Sequence, residues 1–377
     1  MLYCHIFKIK KPGLNTAFAL FLTFFIYQTP LKAQHDLKDT TFTNGVESDA
    51  QIPGTEHSEK EHGEPKFNPG AVIMEHVADS HDWHLWGHTS IHLPVILFTD
   101  KGIETFSSGK FEHGEKTYQG KYYRYGLIKD KVFVVDEAGK ANKEASSNIY
   151  DFSITKNVVS LWISVILLIL IFYSVASAYR KREGKAPKGF QSLIEPIIIF
   201  VRDEIAKPNI GYKYARFMPL LLTMFFFIWI NNLMGLIPIF PGGANVTGSI
   251  LLTFVLAFVT LIVTNLNGNK YYWKHIFLPD VPKWLYPIMI PVEIVGVISK
   301  PFALMIRLYA NISAGHIIVL SLISLIFIFR SLAIAPVSVA FVLFMDVLEL
   351  LVAFLQAFIF TMLTALFIGT AVEEHSH

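Results

Sequence analysis

The chain reads as an all-α polytopic membrane protein with a small β-rich extramembrane module at its N-terminal end. Three observations lead there. Hydrophobic residues make up 53% of its 377 side chains and charged residues only 16%, a balance foreign to ordinary water-soluble domains. From residue 158 onward the apolar residues gather into stretches of the ~20 residues that a bilayer core requires. Lysine and arginine concentrate in alternate connections between those stretches, the bias that orients membrane proteins. The single cysteine, Cys4, lies near the N-terminus, so neither a disulfide framework nor thiol chemistry is expected.

Residues 1–33 have the make-up of a signal peptide. Lys8, Lys10 and Lys11 form a basic start, residues 14–27 an apolar core, and Leu31-Lys-Ala33 a small-residue cleavage site. The other reading of this stretch is an uncleaved first anchor. Residues 34–157 are then an extracytoplasmic segment. Up to about residue 70 it is rich in Asp, Glu, Ser, Thr, Pro and Gly, the composition of a disordered leader. Further on, the β-prone runs 92–98, 122–128 and 132–135 alternate with Gly and Asp turns, which predicts a small β-rich module. The segment holds nine of the fourteen histidines. His76, His81, His84, His88 and His92 suggest a metal site, but no cysteine accompanies them and the carboxylates nearby have no recognised ligand spacing. A solvated, pH-sensitive surface is the expectation, with no metal and no cofactor.

Residues 158–377 are the membrane domain, with five spans. The first covers 158–178, the second 217–237 and the third 249–265. Residues 286–308 and 312–329 form the fourth, as one long tilted helix or a broken pair. The fifth, 332–371, is also too long for a perpendicular crossing. Nine basic residues from Arg180 to Arg216 put the first connection in the cytoplasm. The uncharged stretch 238–248 is then outside, and Lys270, Lys274 and Lys283 put the next connection inside. This order leaves 34–157 outside, in agreement with the signal peptide, and the C-terminus in the cytoplasm. Residues 190–205 are clustered apolar positions with Glu195, Arg202, Asp203 and Glu204 among them, too charged to cross. They predict a cytoplasmic interfacial helix.

Ionisable residues inside spans point to function. Here they are Glu293, Lys300, Arg307 and His316 in one segment, Asp346 and Glu349 in the next. A guanidinium at mid-bilayer costs about 2.5–3.5 kcal/mol on insertion scales and cannot shed its proton. On a helix Arg307 and Asn311 share a face, Glu349 and Gln356 lie on one stripe, and His316 falls nearly opposite Arg307. Carboxylate and imidazole can relay protons where arginine cannot. Ala303, Ala310, Ser313, Ala314 and Gly315 admit close approach of another helix. The plainer alternative is that Arg307 pairs with Glu349 or Asp346 to fix packing and that His316 is a hydrogen-bonded packing residue. Asn231-Asn232 followed by Gly235 and Pro238 marks a helix end.

Together these motifs resemble subunit a of the F-type ATP synthase. They are Ser299-Lys-Pro, Arg307-Leu-Tyr-Ala-Asn-Ile-Ser-Ala-Gly-His316, the run 348–360, Glu195-Pro-Ile to Ala206, Asn232-Leu-Met-Gly-Leu-Ile-Pro and Asn245-Val-Thr. They occur in the family's order and span 158–377, while 34–157 is an addition to it. The resemblance implies a proton-translocating stator of the Fo sector that offers two aqueous half-channels to a rotating c-ring, in the bacterial inner membrane. It has no catalytic site of its own and no nucleic-acid partner. Arg307 matches the essential arginine that faces the ring carboxylate and blocks direct leakage, with Asn311 and Gln356 as its polar neighbours. His316 and Glu349 match the acid–histidine pair of the external half-channel, and Glu293 an acid towards the cytoplasmic exit. Asn232, Asn245 and Asp346 are further half-channel candidates. The interfacial helix implies contact with the peripheral-stalk b subunit. Gly235 and Gly243 stand where some bacterial members carry aspartate, and Asp346 is a partial substitute. Two other classes compete: a stand-alone proton-coupled secondary transporter, which calls for internal repeats that the sequence does not display, and a membrane-anchored metal binder, which leaves Arg307 unexplained.

Overall fold

A computed structural model describes residues 31–32, 70, 73 and 78–373, apart from 87–88, 115, 129, 137–138, 183–184, 238–241, 280 and 330–333. It divides into two compact units, 161–319 with 337–373, and 78–160 with 320–336. Residues 34–69, expected to be a leader, lie outside the described residues, as does the signal peptide except for Leu31–Lys32.

The module is built on strands β1 (Leu31–Lys32), β2 (Asp82–Trp86), β3 (Thr89–His92), β4 (Pro94–Thr99), β5 (Gly102–Ser107), β6 (Tyr118–Gln119), β7 (Arg124–Ile128), β8 (Lys131–Val134) and β9 (Tyr150–Asp151). They form a four-stranded sheet in the order β1-β9-β4-β5, a β2-β3 hairpin and a three-stranded β6-β7-β8 sheet. β4 and β5 are joined through Asp100 and Lys101, and Gly102 has φ 135°, a left-handed value that disfavours a side chain. Strand alternation turns Val95, Leu97 and Phe106 inward against Phe111, Tyr125, Val132, Val134 and Ile149. Each such side chain contributes roughly 1.5–3 kcal/mol when fully buried. The buried Glu104 is fully employed, accepting from Lys121 N at 2.8 Å, Tyr122 N at 2.8 Å and Tyr125 Oη at 2.9 Å. A Cβ at Gly120 would overlap its Oε2, so that turn needs glycine.

The β-rich expectation therefore holds, with one correction. His81 is not on a solvated surface; it is 3% exposed, its Nε2 lying 3.4 Å from Asp151 Oδ2. His92 is held by Asp82, Nδ1 to Oδ1 at 2.9 Å. Cleavage after Ala33 would also remove β1, whose Leu31 and Lys32 pair with Asp151 and Tyr150 of β9.

A short helix α1 (Lys143–Ser147), capped by Asn142, precedes β9. The membrane domain begins with α2 (Lys156–Lys181), closed by Arg180 and Lys181, cations that suit a helix C-terminus. The stretch expected to be interfacial folds as α3 (Phe190–Phe200), a π-helical turn (Val201–Ala206) and α4 (Lys207–Ile210). In that turn Asp203 lies between Arg202 and Lys207, at 2.6 and 2.7 Å, and they hold its carboxyl well below the usual range. α5 (Tyr214–Leu236) buries Phe217, Phe225, Phe226 and Phe227.

α6 (Ile250–Leu266) has 17 residues, ~26 Å of rise, short of a perpendicular crossing. It turns by 103° into α7 (Lys270–Phe277). α8 (Tyr286–Phe329, 44 residues) is one unbroken helix where the sequence left a broken pair open, and α9 (Ala335–Val372, 38 residues) follows. At ~66 and ~57 Å of rise, both exceed the ~30 Å hydrocarbon core, so a perpendicular crossing would leave part of each helix outside it. Four of the described helices are long and apolar enough to cross a bilayer, and five if the bent α6–α7 pair counts as one.

Candidate functional site

Three helices meet at a small cavity lined by both polar and apolar residues. Asn232 and Leu236 come from α5, Asn311, Ile312, Gly315 and His316 from α8, and Glu349, Val352 and Ala353 from α9. The cavity measures about 20 Å³, enough for a water molecule. Asn232 fixes the approach of α5 to α9 by donating Nδ2 to the Ala353 carbonyl at 3.2 Å. Gly315 fixes the approach of α8 to α9, because a Cβ there would stand 2.6 Å from Glu349 Oε1 and 2.9 Å from its Cδ. The carboxyl of Glu349 thus rests directly on the α8 backbone. Among the described residues, Asn232 Oδ1, Glu349 Oε1 and the nearby Ser313 Oγ are buried without a hydrogen-bond partner. Buried oxygens of this kind call for water or a proton donor.

Gly235 also belongs to the neighbourhood. Its Cβ position would lie 3.6 Å from His316 Nε2 and 3.6 Å from the Ala244 carbonyl. Gly235 therefore looks onto the His316 imidazole.

Arg307 is placed differently. It lies on the exposed face of α8, and Ala303, Ala310 and Ala314 are exposed with it, at spacings of four, three and four residues that make one stripe. Among the described residues no ion pair or hydrogen bond reaches the guanidinium, so the pairing with Glu349 or Asp346 that the plainer alternative calls for is absent. Asp346 is exposed and does not line the cavity. Asn311 is exposed and also at the cavity's rim, one helical turn beyond Arg307. Gln356 is 4% exposed, two turns along α9 from Glu349.

Glu293 is remote from all of these, 14 residues or ~21 Å along α8 from Arg307. Its Oε2 faces His275 Nδ1 of α7 at 3.9 Å. His316 lies ~14 Å beyond Arg307 in the opposite direction. Asn245 sits outside the cavity, its Oδ1 closing a turn by accepting from Gly248 N at 2.9 Å. The structure thus gathers Asn232, Asn311, His316 and Glu349. It leaves Arg307, Asp346, Gln356, Glu293 and Asn245 apart. What the sequence under-reads is Gly315 as the seat of Glu349. Its signal was present, in the run of small residues that predicts close helix approach.

Comparison with known proteins covers both halves of the chain. Residues 158–369 match the family model described as "ATP synthase A chain". Residues 72–152 match a "Domain of unknown function (DUF8433)". The ATP synthase subunit a of Chloroherpeton thalassium is 48% identical over 233 residues, which cover 60% of this chain and 69% of that protein. ATP synthase subunit a 2 of Chlorobium luteolum is 39% identical over 328 residues, 84% of this chain and 81% of the relative. The Myxococcus xanthus ATP synthase subunit a is 41% identical over 240 residues, 60% and 77% of the two chains.

Proposed function

The chain belongs to the ATP synthase A chain family, and we propose that it is the stationary Fo subunit through which protons reach and leave a rotating c-ring, coupling their flow to ATP synthesis. The observation that carries this reading is the exposure of Arg307 without an ion pair among the described residues, on a stripe of alanines. A fixed cation on an apolar surface requires a carboxylate from elsewhere. Small residues around it let another helix bring one close. A carboxylate on a moving ring would be held ionised while it passes, and the arginine would bar protons from crossing directly between the two half-channels.

The cavity of Asn232, Asn311, His316 and Glu349 is the inner end of the external half-channel in this reading. Its support is the set of buried, unpartnered oxygens and a volume that admits water. Glu293, on the other side of Arg307 along α8, serves the cytoplasmic half-channel. Gln356 and Asp346 flank the route, and Asn245 braces the turn beside it. Residues 1–33 direct residues 34–157 outside the cytoplasm, and the stretch Phe190–Ile210 meets the peripheral-stalk b subunit. The family match leaves the stand-alone transporter without support.

Arg307→Ala in a reconstituted complex is the test. The expected result is loss of ATP-driven proton pumping, with passive leakage through the membrane sector. Normal coupled pumping by this variant would overturn the proposal.

A further inference from the structure

The sheet β1-β9-β4-β5 is turned inside out in polarity. In an antiparallel sheet with one face on a core, the other face is normally polar. Here the charges point inward: Glu104 and Asp151 both pair with Leu97, which is 0% exposed, and each has a partner within the module. The opposite face carries Ile96, Phe98, Ile103, Thr105, Tyr150 and Phe152. Register puts Ile103 and Tyr150 on either side of Phe98. The Phe98 and Phe152 rings meet edge-to-face at 4.8 Å. Ile103 is 58% exposed, Phe98 39%, Phe152 38% and Tyr150 37%. Lys32 of β1 pairs with Tyr150 and adds one charge at the edge of this face, and the contiguous apolar patch of β4, β5 and β9 marks an interaction surface.

Its position in the chain identifies what it meets. Phe152 is four residues before Lys156, where α2 enters the membrane, so it lies within ~14 Å of that point by chain reach alone. The connection is also fastened. Phe152 N donates to the Ile96 carbonyl at 2.9 Å, Ile154 N to Pro94 O at 3.1 Å, and Lys156 N to Ser80 O at 3.0 Å. Asp79 accepts from Thr155 Oγ1 at 2.8 Å and Asn157 N at 3.1 Å, holding the first turn of α2 in the same compact unit as the sheet. Aromatic rings with a polar tip, such as tyrosine, settle at the membrane–water boundary, and an apolar face buries a few ångströms into the headgroup region. We propose that the outer face of this sheet rests on the outer-leaflet surface of the bilayer that α2 crosses. The inference depends on α2 being a span and not on the ion pathway.

The test uses the full chain in phosphatidylcholine nanodiscs, with Cys4→Ser removing the native thiol. A polarity-sensitive fluorophore is attached through Ile103→Cys, through Thr105→Cys on the same face, and through Glu144→Cys on exposed α1 as reference. Lipids spin-labelled near the headgroup should quench the labels at 103 and 105 roughly twofold or more above the reference, with blue-shifted emission. Equal quenching at all three sites would overturn the proposal. So would cross-linking of 103 to 103 between two chains without lipid quenching, which would make the face a contact between copies. Thr105 is already exposed and polar, so its label leaves the test intact if the Ile103 variant does not fold.

Discussion

At the scale of single residues, the contact between Gly315 and Glu349 is the tightest fact about the candidate pathway. Side-chain inventory alone identified His316 and Glu349, because ionisable groups inside spans are conspicuous in any sequence. The seat of the carboxylate was not legible in the same way. A glycine announces only missing atoms, and its neighbour on α9 is 34 residues further along. Gly315→Ala brings a Cβ to 2.6 Å from Oε1, which forces the carboxyl to move. Overpacking costs about 1–3 kcal/mol, so we expect ATP-driven pumping to fall about tenfold while the complex still assembles. Adding Glu349→Asp retracts the carboxyl and should restore part of the rate, read as quenching of a pH dye in proteoliposomes. A double variant slower than Gly315→Ala alone would contradict the steric account.

At the scale of elements, β9 and the start of α2 form one fastened joint, with His81 at its centre. Burial disfavours the imidazolium, but the facing Asp151 and the charges of Asp79 and Asp130 outweigh it and raise the His81 pKa above its ordinary 6.5. Burial likewise opposes ionisation of Asp151, and His81 together with Ser153 overrides it, lowering that pKa below 3.8. The signs follow by linkage. The histidine contribution is complete below about pH 6.5 and is lost as pH rises through the raised value. The aspartate contribution is complete above about pH 4 and is lost as pH falls through the lowered one. Hydrogen exchange of the β4 and β9 amides in the full chain, corrected for the intrinsic rate at each pH, should show protection weakening on the alkaline side of pH 6.5. His81→Asn should flatten that limb. The sequence could not reveal this joint, because His81 and Asp151 are 70 residues apart and only the folded sheet brings them together. The helices were far more legible. The start and end of α5, the extent of α9 and the β-prone runs follow from periodicity and turn residues. The length of α6 was legible too, 249–265 expected against Ile250–Leu266 found, but its sharp turn into α7 depends on where Asn267 and Gly268 stop the ladder, which hydropathy does not resolve.

At the scale of the whole molecule, the distribution of basic residues makes a prediction about sidedness. In a Cys4→Ser background, a membrane-impermeant maleimide should label Glu144→Cys from outside intact cells. Lys188→Cys should react only after permeabilisation. The reverse pattern would invert the two half-channels and the roles of Glu293 and Glu349. The general plan was legible because the membrane simplifies the problem: spans must be apolar and their connections carry the charge. What stayed hidden was which polar groups converge, since that depends on how α5, α8 and α9 rotate about their axes. α8 has a mechanical consequence of its own. Pro301 has no N–H to offer the carbonyl of Val297, so one rung of the ladder is missing between Glu293 and Arg307. From Arg307 to His316 no proline intervenes. The same rod is therefore compliant on one side of its cation and stiff on the other. A lateral load on the exposed Arg307 face would bend the Glu293 arm more readily than the His316 arm.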